Sequence, residues 1–303
     1  MKAILAVFVL VAQIFYGATL LASSFEEVKK AAEKGDAEAQ FNLALMFYNG
    51  QGVRQDYALA CQWWEKAAAQ GAAAAQYNLG VMYDNGQGVR QNYALARQWY
   101  EKAAAQGHSD AQYNLGVMYD NGQGVRQDYA LARQWYEKAA AQGDANAQFK
   151  LGIMYATGKG GHQDYSIARQ WWEKAAAQGD AAAQFNLGVM YDNGQGVRQD
   201  YALARQWWEK AAAQGHSDAQ CNLGVMYISG QGGRQDFSIA RQLWEKAATQ
   251  GNADAQYYLG VVYENGHGVR KDFSLAKEWF GKACDNGFQK GCDAYKKLNE
   301  MGY

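Results

Sequence analysis

The stretch AAAQYNLGVMYDNGQGVRQNYALARQWYEKAAAQGH, residues 73–108, recurs along the chain with a period of 36 residues. Its central leucine returns seven times, as Leu43, Leu79, Leu115, Leu151, Leu187, Leu223 and Leu259. This spacing predicts seven full repeats over residues 37–288. We expect an N-terminal capping helix at 25–36 and a C-terminal capping helix at 289–303. The fold is therefore determined by how each repeat packs against its neighbours.

Each repeat is predicted to hold two helices, the first over about 73–85 and the second over about 93–106. A wheel of 3.6 residues per turn predicts one buried face on each helix. In the first helix this face holds Ala75, Gln76, Leu79, Gly80, Met82 and Tyr83. In the second helix it holds Ala96, Trp99, Tyr100 and Ala103. We expect Asn92, which is Asp in most repeats, to N-cap the second helix and Gly107 to end it in a left-handed conformation.

A glycine inside the first helix carries information about packing. It recurs as Gly80, Gly116, Gly152, Gly188, Gly224 and Gly260, although such a glycine costs about 1 kcal/mol relative to alanine. A close helix–helix approach that leaves no room for a side chain explains the recurrence. We therefore predict an all-α fold, an αα-hairpin solenoid in which each repeat buries its face against its neighbours. Such a solenoid lacks the single central cavity that usually houses catalysis.

Composition argues against several classes of ligand. The net charge is −1 and acidic and basic residues are mixed along the chain, so no basic block follows a phosphate backbone and we expect no nucleic acid partner. No basic amphipathic stretch favours a membrane surface. We expect no metal and no cofactor, because the four histidines are scattered over different repeats and the four cysteines form no cluster.

The first 24 residues differ in kind from the repeats. Lys2 is followed by an apolar run over residues 3–22 and by Ser23 and Ser24, a pattern typical of a secretory signal peptide over residues 1–24. An uncleaved membrane anchor is the alternative interpretation of the same run. Either interpretation places the repeats outside the cytoplasm, in the periplasm or secreted.

The repeat consensus resembles a known family. The pattern A-x-A-Q-[FY]-N-L-G-x-M-Y, followed by G-x-G-V and by A-x-x-W-x-x-K-A-A-x-Q-G, is similar to the Sel-1-like repeats, relatives of the tetratricopeptide repeats. The resemblance implies a right-handed superhelix that serves as an adaptor and holds partners in its concave groove. Because members differ widely in function, the family indicates a class of activity and no particular ligand.

The C-terminal segment KACDNGFQKGCDAYKKL, residues 282–298, carries a second resemblance. It is similar to the secreted cysteine-rich subgroup of the family, in which such a cysteine pair bridges two helices. The resemblance implies a Cys284–Cys292 disulfide in an oxidising compartment. It also supplies a rival hypothesis, binding or hydrolysis of β-lactams. We interpret Cys61 and Cys221 as free thiols.

One motif bears on that rival. Residues 274–277 read Ser-Leu-Ala-Lys and match the S-x-x-K nucleophile motif of penicillin-recognising enzymes. The companion K-T-G and S-D-N motifs are absent, so we interpret the tetrapeptide as a variant of the A-L-A-R found in other repeats. The chain is predicted not to be an enzyme.

The arc of the first helix opposite its core predicts a binding surface. Aromatic, asparagine and aliphatic side chains recur there, a composition typical of interfaces. We expect a protein or peptide partner to bind this stripe on the concave face. Its candidate residues are Tyr77, Asn78, Val81, Tyr113, Asn114, Val117, Phe149, Lys150, Phe185, Asn186, Tyr257 and Tyr258. The alternative is that these side chains pack against the first helix of the adjacent repeat.

Specific recognition is expected where individual repeats depart from the average. Identical repeats strengthen binding but do not determine which repeat binds which part of the partner. The departures are Lys150, Ala156, Thr157, Cys221, Ile228, Ser229, Tyr258 and Glu264. The second helices instead carry Arg97 and Glu101 and their equivalents, which we interpret as a solvated ladder of charges. The sequence thus predicts an extracytoplasmic interaction scaffold, with the β-lactam hypothesis as its rival.

Overall fold

The computed structural model describes residues 25–303. Residues 25–33 form helix α1. The other helices are α2 (Ala37–Asn49), α3 (Tyr57–Ala69), α4 (Ala73–Asn85), α5 (Tyr93–Ala105), α6 (Ser109–Asn121), α7 (Tyr129–Ala141), α8 (Ala145–Thr157), α9 (Tyr165–Ala177), α10 (Ala181–Asn193), α11 (Tyr201–Ala213), α12 (Ser217–Ser229), α13 (Phe237–Thr249), α14 (Ala253–Asn265), α15 (Phe273–Asp285) and α16 (Gln289–Glu300). Residues 25–303 contain no strand, so the predicted all-α repeat solenoid is confirmed.

Each repeat is an αα-hairpin whose ends are set by local capping. The first helices are the even-numbered helices α2 to α14, and the second helices are the odd-numbered helices α3 to α15. Gly86 follows α4 with a φ of 69°, a conformation that glycine adopts without the cost other residues incur. The Asn92 side chain accepts a hydrogen bond from the Leu95 amide at 3.1 Å. The predicted N-cap of the second helix is therefore confirmed, as is the left-handed Gly107, with a φ of 87°.

The predicted core is largely found. In α4 the buried residues are Ala75, Gln76, Leu79, Gly80 and Met82, and in α5 they are Ala96, Tyr100, Ala103 and Ala104. Two members of the predicted faces, Tyr83 and Trp99, are only half-buried. The Trp99 ring packs at the edge of the preceding core and lies under the Lys102 ammonium, 3.9 Å from the ring centre. The lysine therefore covers an aromatic face that the wheel assigns to the core.

In α4, α6, α10, α12 and α14 a buried glutamine hydrogen-bonds to both neighbouring second helices or their C-terminal caps. The Gln112 Nε2 donates to the Ala104 carbonyl of the preceding repeat at 3.2 Å. Its Oε1 accepts from Gln142 Nε2 of its own repeat at 2.7 Å. The same pair of bonds forms around Gln76, Gln184, Gln220 and Gln256, with Asn286 as the last donor. A buried amide is tolerated here because both of its ends are hydrogen-bonded.

The described residues fall into two compact units. One ends at Ala147 and the other extends from Gln148 to Tyr303. Within the first unit the helices from α2 to α7 pack in chain order, each against its predecessor and its successor. Within the second unit the helices from α9 to α16 do the same. Nearest-neighbour packing of this kind is the property that defines a solenoid.

The C-terminal helix α16 closes the second unit. It packs against α15 and buries Leu298. Cys284 in α15 and Cys292 in α16 form a disulfide, with their Cα atoms 4.5 Å apart. The disulfide implied by the resemblance is therefore confirmed, and so are the free thiols Cys61 and Cys221, both buried.

The predicted signal peptide, residues 1–24, lies outside the described residues. Between residues 25 and 303, every helix is too short or too polar to cross a bilayer.

Candidate binding surface

The predicted stripe lies on the first helices, and we call it the first-helix stripe. All twelve candidate residues are half-buried. None lies in the fully buried core, and none stands free of it. The stripe thus combines a packed edge with an open one, and the contacts of each side chain decide how much of it a partner can reach.

The aromatic position of the stripe packs against the second helix of its own repeat and against the residue that caps the following first helix. The Tyr77 ring lies 5.9 Å from the Tyr100 ring of α5. Its other side stacks on His108, with centroids 4.6 Å apart and planes 16° from parallel. Phe185 repeats the arrangement with Trp208 at 6.4 Å and His216 at 4.7 Å. These rings therefore contribute to the contact between successive repeats as well as to the surface.

The remaining aromatic positions follow the same rule with different neighbours. Tyr113 lies 5.7 Å from Tyr136, and Phe149 packs against the cluster that contains Trp172. Tyr257 lies 5.5 Å from Phe280 and 5.2 Å from Phe288. The valines of the stripe, such as Val81, pack at the edge of the same clusters. Part of the stripe is therefore inter-helix packing, and its rings contact mainly the second helix of the same repeat.

Polar groups accompany the rings in the second and third repeats. The Tyr100 hydroxyl donates to Asp84 Oδ2 at 3.3 Å. The Asn114 side chain, from the next first helix, interacts with the hydroxyls of both Tyr77 and Tyr100. Burial raises the pKa of Asp84, and the hydrogen bond from Tyr100 acts in the opposite direction. Burial also raises the pKa of Tyr100. A compact polar network therefore fills this part of the stripe.

Repeats with a tryptophan on the second helix lack that network. The Trp208 indole Nε1 donates to the Phe185 carbonyl at 3.1 Å, so it offers no hydroxyl to Asp192. Burial raises the pKa of Asp192. This carboxylate lies where Asp84 lies in its own repeat, but without the tyrosine donor that Asp84 has. The stripe therefore differs from repeat to repeat in polarity although its backbone repeats.

Charge is distributed unequally between the two kinds of helix. The first helices carry the acidic residues Glu38, Asp84, Asp110, Asp120, Asp192, Asp218, Asp254 and Glu264. Lys150 is the single basic residue that the first helices contain. The arginines lie on second helices and in loops. Although the whole chain is close to neutral, the first helices that carry the stripe are acidic, a feature that the mixed charge of the sequence conceals.

Comparison with known proteins identifies the repeat. A family model described as Sel1 repeat matches residues 37–71, 73–108, 109–144, 145–180, 181–216, 217–252 and 253–288. The chain belongs to the Sel1 repeat family. Proteins of this family typically mediate protein–protein interactions and are generally not enzymes. A comparison with curated proteins found no match.

Two solved Sel1 repeat structures are similar over most of this chain. One is c5321, a protective antigen present in uropathogenic Escherichia coli strains, with 40% identity over 92% of this chain and a TM-score of 0.88. The Sel1 repeat protein described here spans 60% of the length of c5321. The other is a Sel1 repeat protein from Oxalobacter formigenes, with 34% identity over 80% of this chain and 96% of its own, and a TM-score of 0.71.

The second helices of the Sel1 repeats carry the predicted charge ladder, but they bury it further than expected. Arg97 and Glu101 pair at 3.2 Å, and each following repeat with the same residues repeats the pair. The Arg205 side chain is only 13% exposed, and its guanidinium lies 3.8 Å from the centre of the Tyr227 ring. The arginine therefore packs against the next repeat and is not a purely solvated charge.

The S-x-x-K tetrapeptide has a structural use in the last repeat. Lys277 Nζ donates to Asn299 Oδ1 at 2.7 Å and to the Tyr303 carbonyl. The amine thus binds the C-terminal residues, while Ser274 is exposed at the start of α15. Across residues 25–303, no group of three or more His, Cys, Asp or Glu side chains is arranged to hold a metal ion.

Proposed function

We propose that this Sel1 repeat protein is an extracytoplasmic scaffold that binds a protein or peptide partner on the first-helix stripe. The observation that carries the proposal is the half-exposed row of aromatic and aliphatic side chains with acidic residues beside it. Apolar side chains left partly open beside polar groups are what a protein partner uses as anchors. The family assignment supports the same class of function.

The location outside the cytoplasm has separate support. Residues 1–24 have the charge and hydropathy pattern of a secretory leader. The Cys284–Cys292 disulfide is of a kind that persists in oxidising compartments. Intact-mass measurement of the protein from a periplasmic fraction tests this part. A mass that matches a chain starting at residue 25 supports a cleaved leader. A mass that matches the full-length chain, found in the cytoplasm, contradicts the location.

Site-specific crosslinking tests the binding face. A photo-crosslinking amino acid is placed at Asn114 or Asn186 on the first-helix stripe, and at Gln134 or Gln206 on the second helices of the same repeats. The glutamines are exposed, so they are matched controls for accessibility. Illumination in the native compartment should give discrete adducts from the stripe positions and none from the controls. Adducts from the second helices alone would contradict the proposed face.

The β-lactam hypothesis receives no comparable support. It rests on the resemblance of the cysteine pair and on S-x-x-K, and the Lys277 amine is hydrogen-bonded to the C-terminal residues. A lysine that serves as the base of such a serine must be within hydrogen-bonding reach of the serine hydroxyl. A chromogenic β-lactam should therefore be left intact by the purified protein. Turnover that disappears in Ser274→Ala would overturn the scaffold proposal.

A further inference from the structure

An apolar pocket opens on the first-helix stripe of the second unit. It lies between α12, α13 and α14 and has a volume of about 210 Å³. Its walls are Val225 and Ile228 from α12, Trp244 from α13, and Tyr258 and Val261 from α14, with His267 at the rim. Aliphatic and aromatic carbon therefore surrounds the space, although the same helices are acidic along the rest of the stripe.

The pocket exists because this Sel1 repeat departs from the others. Ile228 stands where Asp84, Asp120 and Asp192 stand in their repeats, and Tyr258 stands where five of the other six repeats have asparagine. In the second and third repeats these positions hold the polar network of Asp84, Tyr100 and Asn114. In the sixth repeat Ile228 replaces the carboxylate, and in the seventh repeat Tyr258 replaces the amide. These two positions are therefore less polar around the pocket than in the second and third repeats.

A third departure changes the residue that packs on the tryptophan of α13. Cys221 replaces the aromatic residue that packs on the second-helix ring elsewhere, as Tyr77 does on Tyr100. Tyr258 from the next repeat takes its place and stacks on Trp244, with centroids 4.9 Å apart and planes 18° from parallel. The Trp244 Nε1 donates to the Cys221 carbonyl at 3.0 Å. The indole N–H thus has its hydrogen-bond acceptor and the ring is held in place. The ring forms a rigid apolar wall of the pocket.

The size of the pocket favours a side chain over a small-molecule ligand. Pockets that bury drug-sized ligands enclose roughly 300–1,000 Å³, and this pocket of about 210 Å³ is smaller. A space of this size with rigid aromatic walls resembles the central pockets that receive an anchoring side chain at protein interfaces. The occupant expected from size alone is one bulky apolar side chain of a partner.

The charge around the pocket defines the rest of the partner. Asp218 lies on α12 and Asp254 on α14, the two first helices that line the pocket. Asp192 lies on α10, the preceding first helix. The helices α10, α12 and α14 contain no lysine or arginine. A segment that crosses this part of the stripe therefore meets carboxylates before and after the apolar site, and complementary charge favours a basic segment.

We propose that the pocket between α12, α13 and α14 receives a bulky apolar side chain of a basic peptide segment, with lysine or arginine on either side of the anchor. The inference rests on the proposed scaffold function, and it assigns the register of the partner to the sixth and seventh Sel1 repeats. The other repeats contribute contact area and charge. The departures at Cys221, Ile228 and Tyr258 thus distinguish one position along an otherwise uniform array.

A displayed library of random peptides tests the proposal on the full purified protein. Enriched peptides should share an aliphatic or aromatic residue flanked by lysine or arginine. Ile228→Asp and Tyr258→Asn should each weaken the enriched peptides at least about tenfold. Both substitutions restore residues that other repeats of this chain carry at the same position, so the variants should fold. Fluorescence anisotropy with a labelled enriched peptide gives the affinities.

Ala156→Asp is the matched control. It places the same carboxylate at the same repeat position two repeats earlier, and it should leave the affinity within about twofold of the parent. Equal weakening by Ala156→Asp and Ile228→Asp would overturn the pocket, because charge anywhere on the stripe would then explain the loss. Enriched peptides that are acidic or lack an apolar anchor would overturn it as well.

A second comparison separates this inference from the scaffold function. The charge-reversing variant Asp120→Lys alters a first helix of the first unit, whereas the pocket belongs to the second unit. Peptides weakened by Asp120→Lys but not by Ile228→Asp or Tyr258→Asn would sustain the scaffold and eliminate the pocket. Peptides unaffected by all three variants, or a library that yields no binder, would contradict both proposals.

Discussion

Gly80 of α4 faces the ring of Tyr100 in α5 so closely that a Cβ atom on the glycine would lie 2.4 Å from the ring carbons. The same relationship joins Gly116 to Tyr136, and Gly188 to Trp208. The helical glycine therefore leaves the space that the second-helix aromatic ring of the same repeat occupies, and we call this space the socket. The conformational cost of the glycine in the helix is outweighed because the ring could not otherwise be buried.

Gly116→Ala should destabilise the protein although alanine is the better helix former. The gain in helix propensity is about 1 kcal/mol, whereas overpacking of a filled core usually costs about 1–3 kcal/mol. The Tyr136 ring is fully buried and cannot withdraw. Urea denaturation should show a lower free energy of unfolding. Asn121→Ala, at an exposed position of the same helix, serves as the control, and a stabilised Gly116→Ala would refute the socket.

Gln112→Ala should cost about 1–3 kcal/mol in the free energy of unfolding. The substitution removes the acceptor of Gln142 and the donor to the Ala104 carbonyl, and it leaves buried groups without partners. Gln134→Ala changes the same residue type at an exposed position and should stay within about 0.5 kcal/mol of the parent. Similar denaturation curves for the two variants would show that the two hydrogen bonds of the buried Gln112 amide contribute nothing to stability.

The cysteines should fall into two chemically distinct pairs. Alkylation of the denatured, unreduced protein should label Cys61 and Cys221 alone, and reduction should expose two further sites, Cys284 and Cys292. The disulfide closes a loop of about nine residues, worth about 2.5 kcal/mol in the chain-entropy model. Reduction should therefore lower the melting temperature. Four thiols labelled without reductant would eliminate the disulfide.

The two free thiols should resist alkylation in the native protein at pH 8. Burial, with Glu65 adding to it, raises the pKa of Cys61 to about 11. Burial, with Asp254 and Asp218 adding to it, raises the pKa of Cys221 to about 12. Because only the thiolate reacts, labelling should accelerate as the pH approaches 11. Rapid labelling at pH 8 would show that the native sites are open.

The same shifts set the sign of a stability change. A folded-state pKa above the unfolded value of 9.0 favours folding fully below about pH 9, and this contribution is lost as the pH rises through the folded-state values. The free energy of unfolding should therefore fall in alkali. The double variant Cys61→Ala, Cys221→Ala should lose less between pH 9 and 11 than the parent, which isolates the thiols from the tyrosines that also titrate there.

The period of the sequence determines most of the fold. Leu79, Ala75 and Met82 are buried as the helical wheel predicts, because a solenoid core is built from local contacts that the repeat itself encodes. The wheel fails at Trp99, whose exposed edge is covered by Lys102. That contact joins two residues three positions apart, and a hydropathy pattern does not record it.

The binding surface is less readable from sequence. Tyr77 faces away from the core of its own helix, but it stacks on His108, the N-cap residue of α6, a neighbour that a single helical wheel does not contain. The pocket at Ile228 and Tyr258 arises from departures that the sequence reveals, yet their convergence on Trp244 depends on how adjacent repeats are placed. Departures from a consensus thus locate a candidate site, while its shape follows from packing between repeats.

The aromatic rings of the stripe are unsuitable for testing binding by themselves. Tyr113→Ser and Phe185→Ser would remove rings that pack on Tyr136 and Trp208. Truncation of a fully buried phenylalanine to alanine costs about 3–5 kcal/mol, and loss of these half-buried rings should cost less. Lost partner capture in such a variant would then report unfolding as readily as lost contact.

Val117→Thr combined with Val189→Thr separates lost partner contact from unfolding. Threonine keeps the branched shape of valine and places a hydroxyl at two half-buried positions of the stripe, so polarity changes more than packing. If the partner crosslinked through Asn114 rests on these valines, its affinity should fall at least about tenfold, while the melting temperature drops by only a few degrees. Ile239→Thr, at a second-helix position that is 36% exposed, is the control and should leave both quantities near those of the parent. Unchanged affinity in the double variant, with the same small loss of stability, would mean that the stripe valines serve packing between repeats and that the partner binds elsewhere.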